Sequence, residues 1–180
     1  MRFDFYGYEA FQKMVEFLNH QTAENQYSLM GYQVGNTLSK NGSVSRAVCE
    51  VDANGNLTEI IERTKIYSKE GNIVYEEDGK EIPIDASALV SMNFWAFTPT
   101  VFPAIEKFFV DFVLQNLNNP TTEFFIPLIA DHLIKNNIAT FKVIPTTAKW
   151  FGVTYKEDKE IVQKNINDLI NDGIYPVRLW

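Results

Sequence analysis

Four short stretches of this 180-residue chain place polar or charged side chains among apolar ones in patterns that could support chemistry. The first is Asp4, which lies between Phe3 and Phe5 and directly precedes Tyr6-Gly7. A carboxylate at the end of an apolar strand can bind Mg²⁺ and bridge phosphates. The same carboxylate could instead cap the helix that follows it. The sequence leaves both roles open.

The second stretch is Glu62-Arg63-Thr64-Lys65, which combines one carboxylate with two cations. A carboxylate accepts hydrogen bonds from two neighbouring sugar hydroxyls, and Arg or Lys can hold a phosphate. A solvated strand end would have the same composition. These residues are therefore candidates for a sugar-phosphate site, with a purely structural role as the alternative.

The third stretch is Ser91-Met92-Asn93-Phe94-Trp95. Ser91 and Asn93 share one face of a strand, because side chains alternate along it. A few polar groups among aromatic ones can orient a ligand. A buried Asn that satisfies backbone groups is the competing explanation.

The fourth stretch runs from Lys149 to Thr154 and continues into Lys156-Glu157-Asp158 at the start of a helix. Acidic residues in a first helical turn complement the helix dipole, so we expect a structural role for Glu157 and Asp158. Neither His20 nor His132 has a partner at metal-ligand spacing.

The elements that must position these residues follow from apolar periodicity and turn residues. A helix is predicted over Tyr8–His20, with Phe11, Met14, Val15 and Leu18 as one apolar stripe. The Asn54-Gly55 pair predicts a hairpin. The remaining predicted elements are strands at 27–34, 46–51, 57–62, 88–97, 139–145 and 150–154, a second hairpin at 65–83 outside the main sheet, and helices after Pro99, over 123–136 and over 157–171.

In their order along the chain, these segments resemble the bacterial sugar-1-phosphate nucleotidyltransferase family. Asp4 to Gly7 is similar to its metal-site turn, and 46–65 to its "YGVVEVDxxGxVxxxxEKP" hairpin. Residues 91–98 are similar to "NxGIYVFxP", Glu123-Phe124-Phe125 to the start of "EYYLTD", and 150–158 to "WxDxGTPED". The resemblance implies an α/β, mixed-sheet Rossmann-like nucleotidyltransferase fold, truncated at the N-terminus and with a hairpin excursion, in which 1–180 form a single domain.

The resemblance also implies functional roles. Glu62 would hold sugar hydroxyls, Arg63 or Lys65 the sugar phosphate, and Ser91 and Asn93 would contact the sugar. Ala47 stands at a family Gly, Ser91 at the family Asn and Asn93 at another Gly. The family transfers a nucleoside monophosphate from an NTP to a sugar 1-phosphate, using Mg²⁺.

Two departures from the family bear on activity. One family metal carboxylate falls at Gly152, and the other at Asp4 or Phe3. The glycine-rich loop that cradles NTP phosphates would lie upstream of Met1. We therefore expect little or no nucleotidyl transfer from this chain, with sugar-phosphate binding or assembly into a homo-oligomer as the alternative function.

Composition excludes some other classes. A net charge of −7 and a pI near 4.9 argue against general nucleic-acid binding. Cys49 is the single cysteine, so no intrachain disulfide can form, and its alternating apolar surroundings predict a buried thiol. The sequence lacks a secretory signal pattern and a run of roughly 20 apolar residues, so we expect a cytoplasmic protein that binds no membrane.

Overall fold

The computed structural model describes residues 3–39, 42–119, 121–153 and 158–178. These residues form a mixed α/β structure with a curled mixed sheet and four α-helices. The helices are α1 (Tyr8–His20), α2 (Val101–Gln115), α3 (Ile126–Lys135) and α4 (Asp158–Asn171). The strands are β1 (Phe3–Phe5), β2 (Gln26–Gln33), β3 (Val44–Val51), β4 (Leu57–Lys69), β5 (Asn72–Glu77), β6 (Lys80–Ile84), β7 (Leu89–Ala96), β8 (Thr140–Thr146) and β9 (Phe151–Val153).

Most predicted boundaries agree with these elements to within a few residues. Both ends of α1 are as predicted, and Gly173, with φ of 74°, ends α4 as expected from its left-handed conformation. The helix predicted from Glu123 begins instead at Ile126, because Pro127 suits the first turn of a helix and disfavours helix in the residues before it. Thr154 and Glu157, which belong to two predicted elements, and Lys156 between them lie outside the described residues.

Seven strands form one sheet in the order β6-β5-β4-β3-β7-β2-β8. β2 and β8 are parallel, and the other neighbours in this sheet are antiparallel. β1 and β9 form a separate antiparallel pair. The predicted second hairpin has turns at Gly71 and Gly79, but it does not leave the sheet: β4 is long enough to pair with β3 and then with β5. We call β5, β6 and the end of β4 the arm.

Two apolar clusters cover the two faces of the sheet. Cluster 1 lies against α2 and α3 and includes Leu29, Phe141 and Leu133. Cluster 2 lies against α1 and includes Met30, Tyr32 and Val90. Strand alternation accounts for this division, since Leu29 and Met30 project to opposite faces.

Only part of the apolar stripe predicted for α1 contacts the sheet, through Met14 and through the Phe11 ring, which lies 4.8 Å from that of Phe94 on β7. Met14 is buried, but Phe11, Val15 and Leu18 are between 38% and 53% exposed. The helix contacts the core through Ala10 and Met14, which lie one turn apart, with the small Ala10 side chain completely buried. Within the described ranges, no helix has the length and hydropathy needed to cross a bilayer.

Candidate functional site

The two segments that resemble the family's metal-site segments are neighbours in the structure. β1 and β9 pair so that Asp4 lies opposite Gly152 and Phe5 opposite Phe151. The rings of Phe5 and Phe151 stack with centroids 4.5 Å apart, which fixes this register. The first residue before α1 is Gly7, which has no side chain to cap the helix. Asp4 is therefore a residue of the β1–β9 pair and does not serve as the helix cap.

A second set of candidate residues lines up across three strands of the main sheet. Ala47 on β3 lies opposite Glu62 on β4 and opposite Ser91 on β7, and Ser91 lies opposite Gly31 on β2. We call Glu62, Ala47, Ser91 and Gly31 the row. Directly opposed side chains share one face of a sheet, with Cβ atoms roughly 5 Å apart. The small Ala47 thus separates Glu62 from Ser91; Ala47 and Ser91 are buried, whereas Glu62 is exposed.

The strand β7 is irregular next to the row. Its pairing with β2 shifts between Leu29 and Gly31, and Asn93 has a φ of 60°. This left-handed conformation is one that Gly adopts freely and that Asn tolerates better than most residues. Asn93 occupies the position at which the resemblance places a Gly. The backbone N–H of Asn93 donates to Ser91 Oγ at 3.1 Å, so Ser91 supports the irregular segment from inside while the Asn93 side chain is exposed.

Glu62 is the member of the row with an altered ionisation. Partial burial raises the pKa of its carboxyl, and the nearby positive charge of Arg46 opposes that shift. Arg46 directly precedes Ala47, and its guanidinium lies 5.4 Å from the centre of the Trp150 ring. The same guanidinium donates to the carbonyl oxygen of Thr37 at 2.6 Å. Arg46 therefore connects the row with the segment that leads into β9.

The two cations predicted to hold a phosphate already form ion pairs with carboxylates of the arm. Arg63 forms an ion pair with Glu77 on β5 and lies 4.8 Å from the Tyr75 ring centre. Lys65 Nζ lies 2.6 Å from Glu76 Oε2, also on β5. A phosphate that approached either cation would compete with a carboxylate already bound to it.

Aromatic rings join β1 to β7 and β9. The Tyr6 ring lies 5.0 Å from Phe94, and the Tyr32 hydroxyl donates to the Tyr6 carbonyl oxygen at 2.8 Å. Tyr6, Phe94 and Trp150 pack against cluster 2. We call these three residues the aromatic junction. The neighbours of the row along their strands, Cys49, Ile60 and Leu89, belong to cluster 1, so the row and the junction lie on opposite faces of the sheet.

The donors at β1 and β9 do not fit the two-carboxylate magnesium site that the resemblance implies. Asp4 contributes one carboxylate, whereas Gly152 opposite to it contributes none. Mg²⁺ needs near-octahedral oxygen ligands and commonly takes one or two carboxylates plus substrate phosphates. Among the residues that the structure describes, no group of three or more His, Cys, Asp or Glu side chains could hold a metal ion.

Cys49 is buried, as its sequence context predicted. Burial raises the pKa of its thiol to about 12, against a smaller opposing effect from the Ser91 backbone N–H. The thiol is therefore protonated at neutral pH, and only the thiolate is an effective nucleophile. Cys49 fills space in cluster 1, two residues along β3 from Ala47 and on the same face of the sheet.

Two surface clefts lie away from these candidate residues. One, of about 250 Å³, lies at the opposite ends of the strands, where Asn25, Asp52 and Asn137 contribute polar groups. The other, of about 310 Å³, lies between α2 and α3, where the His132 ring stacks on Phe108 with centroids 4.3 Å apart.

Sequence reasoning missed Arg46 and the aromatic junction. The sequence around Arg46 does not predict its contacts. Thr37 lies nine residues before it and Trp150 more than a hundred residues after it, and only the fold brings them together. Trp150 belongs to a quoted motif, but its contact with Arg46 follows only from the fold. A search for cations adjacent to the small residue of the hairpin, Ala47, would have singled out Arg46.

Neither a scan against models of protein families nor a search of curated proteins finds a match to this chain.

Proposed function

We propose that this chain carries the acceptor-side, sugar-phosphate-binding part of a Rossmann-like nucleotidyltransferase fold and transfers no nucleotide by itself. The observation that carries the proposal is the register of Asp4 opposite Gly152. Those two residues come from opposite ends of the chain, and the motif alignment assigns both to one metal site. A chance likeness between two short motifs gives no reason for them to pair in register.

The row supports the sugar-binding part of the proposal. Two motif segments contribute Glu62, Ala47 and Ser91, and the three residues lie on adjacent strands. The two oxygens of the Glu62 carboxylate can accept hydrogen bonds from neighbouring sugar hydroxyls. The exposed amide of Asn93 adds donor and acceptor groups at the irregular part of β7.

The charge distribution bears on how a phosphate would bind. Arg63 and Lys65 remain the proposed phosphate ligands, and each must exchange a carboxylate of β5 for a phosphate oxygen. Charge-assisted hydrogen bonds to phosphate are strong enough to compete with exposed ion pairs, which contribute at most about 1 kcal/mol. Removing Glu76 or Glu77 should therefore strengthen phosphate binding.

The inactive part of the proposal follows from the chemistry of phosphoryl-type transfer. Such reactions depend on positioning and on neutralising the charge of the transferred group. One carboxylate opposite Gly152 does not provide the paired ligands for a metal ion there. Glu62, Ser91 and Asn93 can hold an acceptor but cannot replace that neutralisation.

Binding can be tested by calorimetry with a panel of sugar 1-phosphates, using Glu62→Gln and the matched control Glu59→Gln on the same exposed strand. We expect wild-type protein and Glu59→Gln to bind, and Glu62→Gln to bind at least about tenfold more weakly, the loss of one charged hydrogen-bond acceptor. A folded wild-type protein that binds none of the panel would refute the binding role.

Transfer can be tested by measuring pyrophosphate release with Mg²⁺, NTPs and the same sugar phosphates. We expect release no faster than without protein. Brisk turnover would refute the inactive part of the proposal and leave the family assignment stronger.

A further inference from the structure

The helix α2 exposes large apolar side chains on the side that a surface helix normally keeps polar. Val101 is buried, and Ala104, Ile105 and Phe108 pack against cluster 1. The opposite side should then be polar. Instead, six large apolar residues there are between 38% and 69% exposed: Phe102, Phe109, Val110, Val113, Leu114 and Leu117. We call these six residues the α2 face.

The members of the α2 face form one stripe, within which Glu106 is also exposed. Val110, Val113, Leu114 and Leu117 have the spacing i, i+3, i+4, i+7 that aligns side chains along a helix, and Phe102 and Phe109 lie along its edge. Phe125, Ile126 and Leu128 on and before α3 are also at least 41% exposed. The Phe124 ring packs 5.2 Å from Phe109, so these residues extend the stripe.

The exposed area of this surface is the size of a protein–protein interface. With roughly 150–250 Å² for a complete large side chain, the exposed fractions of these nine residues amount to something on the order of 700–1,200 Å². A typical monomer exposes an apolar patch of roughly 300–600 Å² at most, and a stable dimer buries roughly 800 Å² on each partner. The surface therefore exceeds what a monomer usually leaves in water and matches one half of a dimer.

The charges beside the stripe are complementary to those of a second copy. Lys107 and Asp111 lie along one edge of the helix, one turn apart. In an antiparallel pair of α2 helices related by a two-fold axis at Phe109, the same edges meet, and Lys107 of each copy lies level with Asp111 of the other. An anionic membrane surface fits less well, because such helices carry several Lys or Arg, whereas this surface has Glu106 and Asp111 beside one Lys, on a chain of net charge −7.

We propose that two copies of this chain associate through the α2 face, with the α2 helices antiparallel about a two-fold axis near Phe109 and Val110. The central contacts are apolar, and two reciprocal Lys107–Asp111 pairs set the register. This association is independent of sugar-phosphate binding, since the row lies at a different part of the sheet.

The test compares Val110→Glu with Val15→Glu. Both valines are helical, and they are 53% and 52% exposed, so the two substitutions perturb the folded monomer similarly. Light scattering and sedimentation across a dilution series would measure the dimer dissociation constant, with circular dichroism to verify folding. We expect wild-type protein and Val15→Glu to dimerise, and Val110→Glu to raise the dissociation constant at least about 30-fold, the effect of a central contact.

Three outcomes would overturn the proposal: a monomeric wild-type chain at every concentration, equal dissociation constants for the two variants, or dissociation caused by Val15→Glu alone. The antiparallel register of the two α2 helices is tested separately, by exchanging charges. Lys107→Asp and Asp111→Lys should each raise the dissociation constant roughly threefold to tenfold, and the double exchange should restore it, as expected for reciprocal rim pairs. A double exchange that remains as weak as the single variants would refute the antiparallel register.

Discussion

Two antiparallel pairings support the candidate site, and they are built in different ways. β3 and β4 are joined by five residues, Asp52 to Asn56, and pair over most of their length. β1 and β9 come from opposite ends of the chain and pair through three residues each. The first pairing provides Ala47 and Glu62, and the second provides Asp4 and Gly152.

The stability of each pairing has a different origin. Closing the short β3–β4 turn costs little chain entropy, and Asp52 Oδ1 accepts from the backbone N–H groups of Asn54 and Asn56, both at 2.8 Å. The β1–β9 pair has no such local connection. It depends on the stacked rings of Phe5 and Phe151 and on the edge of Tyr175, 5.5 Å from Phe5. The comparison indicates that the hairpin is locally encoded, whereas the β1–β9 pair forms only on a folded core.

The largest expected effect is that of Phe5→Ala. Losing a half-buried ring that contacts Phe151 and Tyr175 should destabilise the chain by about 2–3 kcal/mol. Hydrogen exchange should show the loss of protection concentrated in β1 and β9, with the β3–β4 hairpin still protected. Equal loss in both pairings would contradict the distinction between them.

Gly55→Ala should cost about 1–2 kcal/mol, because Gly55 has a φ of +75° that is unfavourable for a residue with a Cβ atom. A Cβ atom there would also lie 3.3 Å from Lys142 Nζ. Gly71→Ala in the arm is the matched control: its φ is +84°, with open space around the added atom. Denaturant unfolding should show the larger loss for Gly55→Ala, and the reverse order would contradict the importance of the hairpin turn.

Gly152→Asp should place a second carboxylate directly opposite Asp4. Like charges at this position should destabilise the chain by about 0.2–1 kcal/mol without a divalent cation, and Mg²⁺ should restore the loss. Thermal unfolding with and without Mg²⁺ would measure the effect. Combining Gly152→Asp with Asp4→Asn should abolish the response, whereas a response that persists in this double variant would contradict the β1–β9 register.

The smallest expected effect concerns Glu62 and pH. Burial raises the pKa of its carboxyl in the folded chain, so the folded state keeps this proton to higher pH than the unfolded state. The stability that protonated Glu62 contributes to the folded state is complete below the ordinary pKa of Glu. It is lost as pH rises through the pKa that Glu62 has in the folded state. Glu62→Gln should therefore gain stability relative to wild type as pH rises to 7, by less than about 0.5 kcal/mol because solvent screens the group. Thermal midpoints at several pH values would show this gain, and a gain of the same size in Glu59→Gln would contradict the assignment to Glu62.

The sequence predicted those parts of the fold that depend on neighbouring residues. Periodicity located α1, the Asn54-Gly55 pair located the hairpin, and Gly173 located the end of α4. Periodicity did not predict which side of α1 would face the core. Ala10 and Met14 are buried, whereas Phe11 and Val15 are about half exposed, although the Phe11 ring packs on Phe94.

The sequence predicted which residues belong to the candidate site better than it predicted their contacts. Glu62 and Ser91 were identified from residue type, and the structure places both beside Ala47. The ion pairs of Arg63 and Lys65 with β5 could not be predicted, because they depend on the arm folding back along β4. Arg46 was not predicted for a similar reason: its contact with Trp150 depends on the path that the chain takes after β8.

The sequence by itself determined the turns, most of the element boundaries, the acidic charge and the burial of Cys49, because each depends on local conformation or composition. Only the tertiary structure decided that Asp4 lies opposite Gly152, that the row forms across β4, β3 and β7, and that the α2 face points to solvent. Each of these results depends on strand order and on how the helices pack against the sheet. Those arrangements depend on packing between distant parts of the chain, and no short segment contains that information.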